Sequence, residues 1–109
     1  MLTDQAPLWD EAIEGLLTET QQRLDSALTL DMLQEMAINN AVRVGDIIET
    51  LYLMAIYGDW QYLEENGQQK QLDEEALQAM YARGRIDKTN IEAFNGVWIP
   101  TGFFPREQS

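Results

Sequence analysis

The stretch Val44–Leu63, VGDIIETLYLMAIYGDWQYL, constrains this chain more than any other. Val44, Ile47, Ile48, Leu51, Met54, Ala55 and Gly58 fall on one helical face, and Tyr52, Leu53 and Ile56 carry apolar cover almost all round. A helix apolar on most sides has to sit at the centre of a fold. A membrane span is excluded by length, because the charge-free run extends only from Thr50 to Gly58 and a bilayer needs roughly 20 residues. Asp46 and Glu49 suit the positive end of the helix dipole, and Gly58-Asp59 marks its break, so the spacing predicts a central helix over about 44–57.

The remaining sequence supplies helices to cover it. Pro7 is tolerated at a first helical position, and Trp9, Ile13, Leu16, Leu17, Thr20, Leu24, Ala27 and Leu28 repeat along one face, which predicts an amphipathic helix over about 8–27. Gly15 lies within it, either as a site of close packing or as a tolerated surface glycine, the latter being preferred. Thr29 and Asp31 are both suitable caps for a shorter helix at about 31–39, which Asn39 and Asn40 end. EENGQQKQ reads as a solvated loop, and Asp73 caps a fourth helix at 74–83 with Ala76, Leu77, Met80, Tyr81 and Gly84 inward. Beyond it two readings compete. Thr89 and Glu92 have capping-box spacing for a short helix ending at Asn95-Gly96, whereas Asn-Gly between IEAF and VWI is a hairpin signal; the helix is preferred. Val97, Trp98 and Ile99 favour extended backbone, and Pro100 imposes it on Ile99.

The expected fold is therefore mainly α, a single helical domain over 1–109 with four to five helices around a central one, and with 101–109 as a tail. Helix 31–39, the link AVRV and the central helix together have helix-turn-helix spacing, and a C-terminal hairpin would extend this to a winged-helix-like arrangement. The likeness is one of architecture, without a family signature.

Composition then removes whole classes of function. With no cysteine and no histidine in 109 residues, thiolate sites, the usual zinc ligands and the commonest general base are all missing. The seven glycines form no phosphate-binding loop, and the acidic runs Glu64-Glu65 and Asp73-Glu74-Glu75 match no calcium loop. We therefore expect no enzyme, no cofactor and no metal site. Net charge is −12, with −11 carried by residues 1–69 and −1 by residues 70–109. A field of that sign repels phosphate backbones and anionic membranes, so direct nucleic-acid or membrane binding is disfavoured. The first residues, MLTDQAPLWDEAIE, have neither a basic segment nor an apolar core of a signal peptide, and cytoplasmic residence is the default expectation.

Three surfaces remain for function: the tail beyond Gly96, the Arg83–Lys88 cluster and the acidic face of the first helix. The segment WIPTGFFP ahead of Arg106 offers Trp98, Phe103, Phe104 and Arg106 as contacts for a protein partner, either another protein or a second copy of this chain. Adjacent residues in an extended tail point opposite ways, so one phenylalanine can fold back while the other faces out. The alternative is a helix-turn-helix or winged-helix-like regulator that meets a nucleic-acid phosphate or another anion through Arg83, Arg85 and Lys88, the only basic cluster. Against this stands the role of Arg83 and Arg85 as cations closing helix 74–83. A third possibility is that the acidic half imitates nucleic acid on a basic partner. The expected function is a non-catalytic, acidic interaction or regulatory module.

Overall fold

The computed structural model describes residues 9–82 and 84–103. In chain order these form α1 (Glu11–Leu24), β1 (Leu28–Thr29), α2 (Leu30–Asn40), α3 (Val44–Ile56), β2 (Trp60–Leu63), α4 (Glu74–Ala79), β3 (Tyr81–Ala82), β4 (Arg85–Ile86), α5 (Lys88–Glu92) and β5 (Val97–Pro100). The molecule is mainly helical, with a small antiparallel sheet. No described helix is long and apolar enough to cross a membrane.

Four of the five described helices, all but α3, begin where short polar side chains can accept from the first free amides. Asp10 accepts from the Ala12 and Ile13 N–H groups, Thr29 from Met32, Asp73 from Ala76 and Asp87 from Thr89. Helix α1 starts three residues later than its apolar spacing predicted because Asp10 provides the cap. It stops at Leu24 because Asp25 takes a left-handed conformation, φ 52°, which turns the chain and sends Leu28 into β1. Leu24 consequently lies 41% exposed. Helix α2 ends at the second of the two asparagines, Asn40, and Ala41, φ 57°, takes the left-handed conformation that follows.

Helix α3 is the centre expected of it. Ile47, Ile48, Leu51 and Met54 have no exposed surface, and each contributes roughly 1.5–3 kcal/mol of burial. Its neighbours are α1, α2, α4, α5, β2 and β4, so nearly every element of the fold leans on it.

The C-terminal third departs from expectation. Helix α4 ends at Ala79 rather than at residue 83, because Tyr81 and Ala82 pair antiparallel with Ile86 and Arg85. Gly84, φ +81°, turns this hairpin instead of packing in a helix, and Arg85 therefore does not close α4. The short helix does form, but Asp87 rather than Thr89 is its cap. The Asn95-Gly96 pair is not a hairpin turn, since β5 pairs with remote strands. Strand β5 is the middle of a sheet ordered β1-β5-β2, with Trp98 opposite Leu28 on one side and Tyr62 on the other. Gly96 is required at the entry to β5. A Cβ there would lie 2.0 Å from the Leu63 carbonyl oxygen, and the Gly96 N–H donates to the Tyr62 hydroxyl at 2.7 Å.

Residues 64–96 thus form an insertion between two paired strands. Its first loop, with Gly67 at φ +87°, stays beside β2 through the Lys70 N–H, which donates to the Tyr62 carbonyl at 2.9 Å. Its later part, α4 through α5, folds over α3.

Candidate functional site

Between Val44 and Ile56 no residue is exposed; every position is buried or half-buried. The insertion accounts for much of this cover and is fastened by two tyrosines. The Tyr52 hydroxyl donates to the Asp73 carbonyl at 3.1 Å, holding the start of α4, and the Tyr81 hydroxyl donates to the Glu49 carboxylate, holding the hairpin. Burial pushes both hydroxyls above their ordinary pKa, and the neighbouring Glu49 and Asp46 charges push Tyr81 further in the same direction.

Where the hairpin and α5 meet the start of α3, a groove of about 250 Å³ remains, lined by Val44, Gly45, Ile86 and Ile91 and edged by Arg43, Asp46, Glu49 and Arg85. Gly45 leaves its floor open, since a Cβ at that position would only touch Ile91 Cδ1 at 3.5 Å. Around the rim, Arg43 Nε meets Asp46 Oδ2 at 3.4 Å and Glu49 is taken by Tyr81. The Arg85 side chain is exposed and has no hydrogen-bond or ion-pair partner among the described residues, while its backbone pairs with Ala82 in the hairpin. On the other side of Asp46 and Glu49, a more polar groove of about 340 Å³ runs between α1 and α3 beside Trp9 and Leu53.

Of the expected partner-contact residues, the structure describes Trp98 and Phe103. Trp98 is wholly buried, packed against Tyr62 at a centroid distance of 4.8 Å and against Phe94 at 5.6 Å. It belongs to the core, because its strand is the middle one of the sheet; a partner cannot reach it without opening the fold. Its indole N–H has no hydrogen-bond partner among the described residues. Phe103 is half-buried, with its N–H donating to the Pro100 carbonyl at 3.0 Å. Phe104 and Arg106 lie outside the described residues. Of the basic cluster, Arg85 and Lys88 are exposed and Arg83 lies outside the described residues.

Arg43 was missed as a companion of Arg85. The two line one groove although far apart in sequence, and only the fold of the insertion onto α3 unites them. The exposed apolar side chains Ile38, 80% accessible, and Tyr57, 52% accessible, were also not singled out. Helical spacing could have placed Ile38 off the inward stripe of Leu33, Met36 and Ala37. Among the described residues no group of three acidic side chains is placed to hold a metal ion. No known protein family, curated protein or solved structure matches this chain.

Proposed function

We propose that this chain is a non-catalytic, cytoplasmic protein-binding module, built on a winged-helix-like scaffold whose second helix of the helix-turn-helix pair has been turned inward. The element order α1-β1-α2-α3-β2, followed after the insertion by β5, together with the sheet order β1-β5-β2, supports the scaffold reading. In it α2 and α3 are the helix-turn-helix pair, and residues 64–96 stand where a wing would be. The observation that carries the functional reading is the closure of α3. A helix that reads a major groove presents three or four polar or basic side chains to base edges, whereas the half-buried positions of α3 are apolar or acidic, Asp46 and Glu49 among them.

Function then falls to the outer surface. Ile38 is a large apolar side chain set in solvent on α2, suited to anchor a partner. The chain carries a net charge of −12, which favours a partner with a basic face. The test is capture of a partner on the immobilised full chain, compared with Ile38→Lys and with a chain ending at Phe103, with light scattering to detect a second copy. Loss of capture or of self-association in either variant, with circular dichroism unchanged, is expected. Equal behaviour of all three proteins sinks the reading.

The exposure of Arg85 and Lys88 keeps a second reading in play, contact with nucleic acid through the insertion rather than through α3. It requires a gel shift that weakens steeply with salt and disappears in Arg83→Glu with Arg85→Glu.

A further inference from the structure

The groove between α1 and α3 is lined by three carboxylates and no cation. Asp46, Glu49, Thr50 and Leu53 stand at i, i+3, i+4 and i+7 on α3, so one face of that helix turns towards Trp9, Asp10 and Ile13 at the entry to α1. Ile13 and Thr50 are buried, whereas Trp9 and Leu53 are half-buried. The Trp9 indole spends its N–H on Glu14 at 2.9 Å, so what remains for the groove is the ring. Tyr57, one turn beyond Leu53 and 52% exposed, lies 5.9 Å from that ring and continues the aromatic edge.

The charge balance is one-sided. Asp46 is met by Arg43 Nε at 3.4 Å. Glu49 accepts from the Tyr81 hydroxyl and Asp10 from two backbone amides, neutral donors that leave both carboxylates charged. Three negative charges against Arg43 leave two, and the partial charges at the starts of α1 and α3, about +0.5 each, do not cancel them. The groove on the other side of α3 has no such imbalance, since Arg43 and Arg85 stand there against Asp46 and Glu49. Nor do the carboxylates converge, because among the described residues no three acidic side chains are placed to hold a metal ion. Carboxylates strung along a helix face beside an aromatic ring complement a planar cation on an apolar stem, which is arginine. From Leu53 back to Glu49 is one helical turn, about 5.4 Å, which such a stem spans. A volume of about 340 Å³, against about 150 Å³ for a cavity that takes benzene, holds one side chain of this size.

On the reading of this chain as a protein-binding module, we infer that the α1–α3 groove is where a basic partner docks, through an arginine whose stem lies against Leu53 and the Trp9 ring and whose guanidinium meets Asp46 and Glu49. The experiment is a nuclear magnetic resonance titration of the ¹⁵N-labelled full chain with acetyl-Ala-Arg-Ala-amide and with the same peptide carrying citrulline, which keeps the shape of arginine and removes its charge. The arginine peptide is expected to shift the Ile13, Glu49, Thr50 and Leu53 amides and the Trp9 indole N–H. It should bind roughly 5- to 10-fold more tightly than the citrulline peptide, for two partly exposed charge pairs and one ring. Asp46→Asn with Glu49→Gln, which keep the shapes and leave Tyr81 an acceptor, should erase that preference while circular dichroism stays native. The inference is overturned if citrulline binds as tightly as arginine, if the double variant keeps the preference, or if the shifts map to another surface. Tighter peptide binding in Arg106→Gln indicates the chain's own tail as the occupant, and groove shifts that follow protein concentration indicate a second copy; either overturns it. Ile38→Lys is expected to bind the arginine peptide as the parent chain does, and because partner capture by that variant tests the module reading by itself, the groove and the reading can fail separately.

Discussion

Tyr81, on the inserted hairpin, donates its hydroxyl hydrogen to the carboxylate of Glu49 on α3. This bond joins residues 32 apart in sequence and fixes the hairpin on the helix it covers. Removing it by Tyr81→Phe should cost about 1 kcal/mol, less than the ~1.5–3 kcal/mol of a buried bond to a charged group because the pair is only partly buried. Urea denaturation measures the loss. Glu49→Gln, which keeps an acceptor, should lose less. Faster amide exchange in Tyr81→Phe should appear first at residues 81–86, and uniform acceleration over the whole chain counts against a local fastening.

Stability should fall at alkaline pH. Burial raises the pKa of Tyr52, Tyr62 and Tyr81 above the ordinary 10.0, so the native state holds these protons more tightly than the unfolded chain. The stabilisation is complete below pH 10 and is lost as pH rises towards the folded-state values. Urea midpoints measured from about pH 8 to about pH 11 should be flat with respect to these groups at first and then descend. The descent should be shallower in Tyr81→Phe, which removes one of the three titrating hydroxyls.

Two glycines should respond to alanine with opposite signs. Gly15 is exposed in α1 with no heavy atom within 4 Å of a built Cβ, so it is a surface glycine, and Gly15→Ala should gain roughly 0.5–1 kcal/mol. Gly96→Ala drives a Cβ onto the Leu63 carbonyl oxygen at the start of β5, and the strand must shift to admit it. We expect a loss of at least ~2 kcal/mol, seen as a lowered melting temperature.

Trp98 should behave as core rather than as a contact residue. Trp98→Ala should cost about 3–5 kcal/mol through the cavity it leaves. Trp98→Phe should cost much less, since it keeps a ring beside Tyr62 and Phe94 and removes a buried N–H that has no partner among the described residues. A folded Trp98→Phe protein should also retain any partner.

Local signals in the chain marked most of the helices. Apolar residues at helical spacing placed α1, α2 and α3, and Thr29 and Asp73 were found as caps because a short oxygen-bearing side chain ahead of such a run has one evident use. The strands were less legible. Trp60-Gln61-Tyr62-Leu63 alternates buried and half-buried positions, yet over four residues this cannot be separated from the tail of the apolar helix before it. β1 is two residues long and carries no periodicity at all. Of the groove between α3 and the hairpin, Arg85 was visible in the sequence as part of a basic cluster, whereas Arg43, Gly45 and Ile91 were not, because nothing local relates them.

The sequence by itself determined that Val44–Ile56 would be a buried central helix, since a segment apolar on most sides has no stable place at a surface. It also determined the absence of histidine and cysteine chemistry and the acidic field. Only the tertiary structure decided that β5 would lie between β1 and β2, that Trp98 would be sealed within that sheet, and that residues 64–96 would fold back over α3. Those outcomes depend on pairings between strands distant in the chain and on single contacts such as Tyr81 with Glu49 and Gly96 with Leu63. Their free energy belongs to both partners at once, so neither segment read alone carries a sign of it.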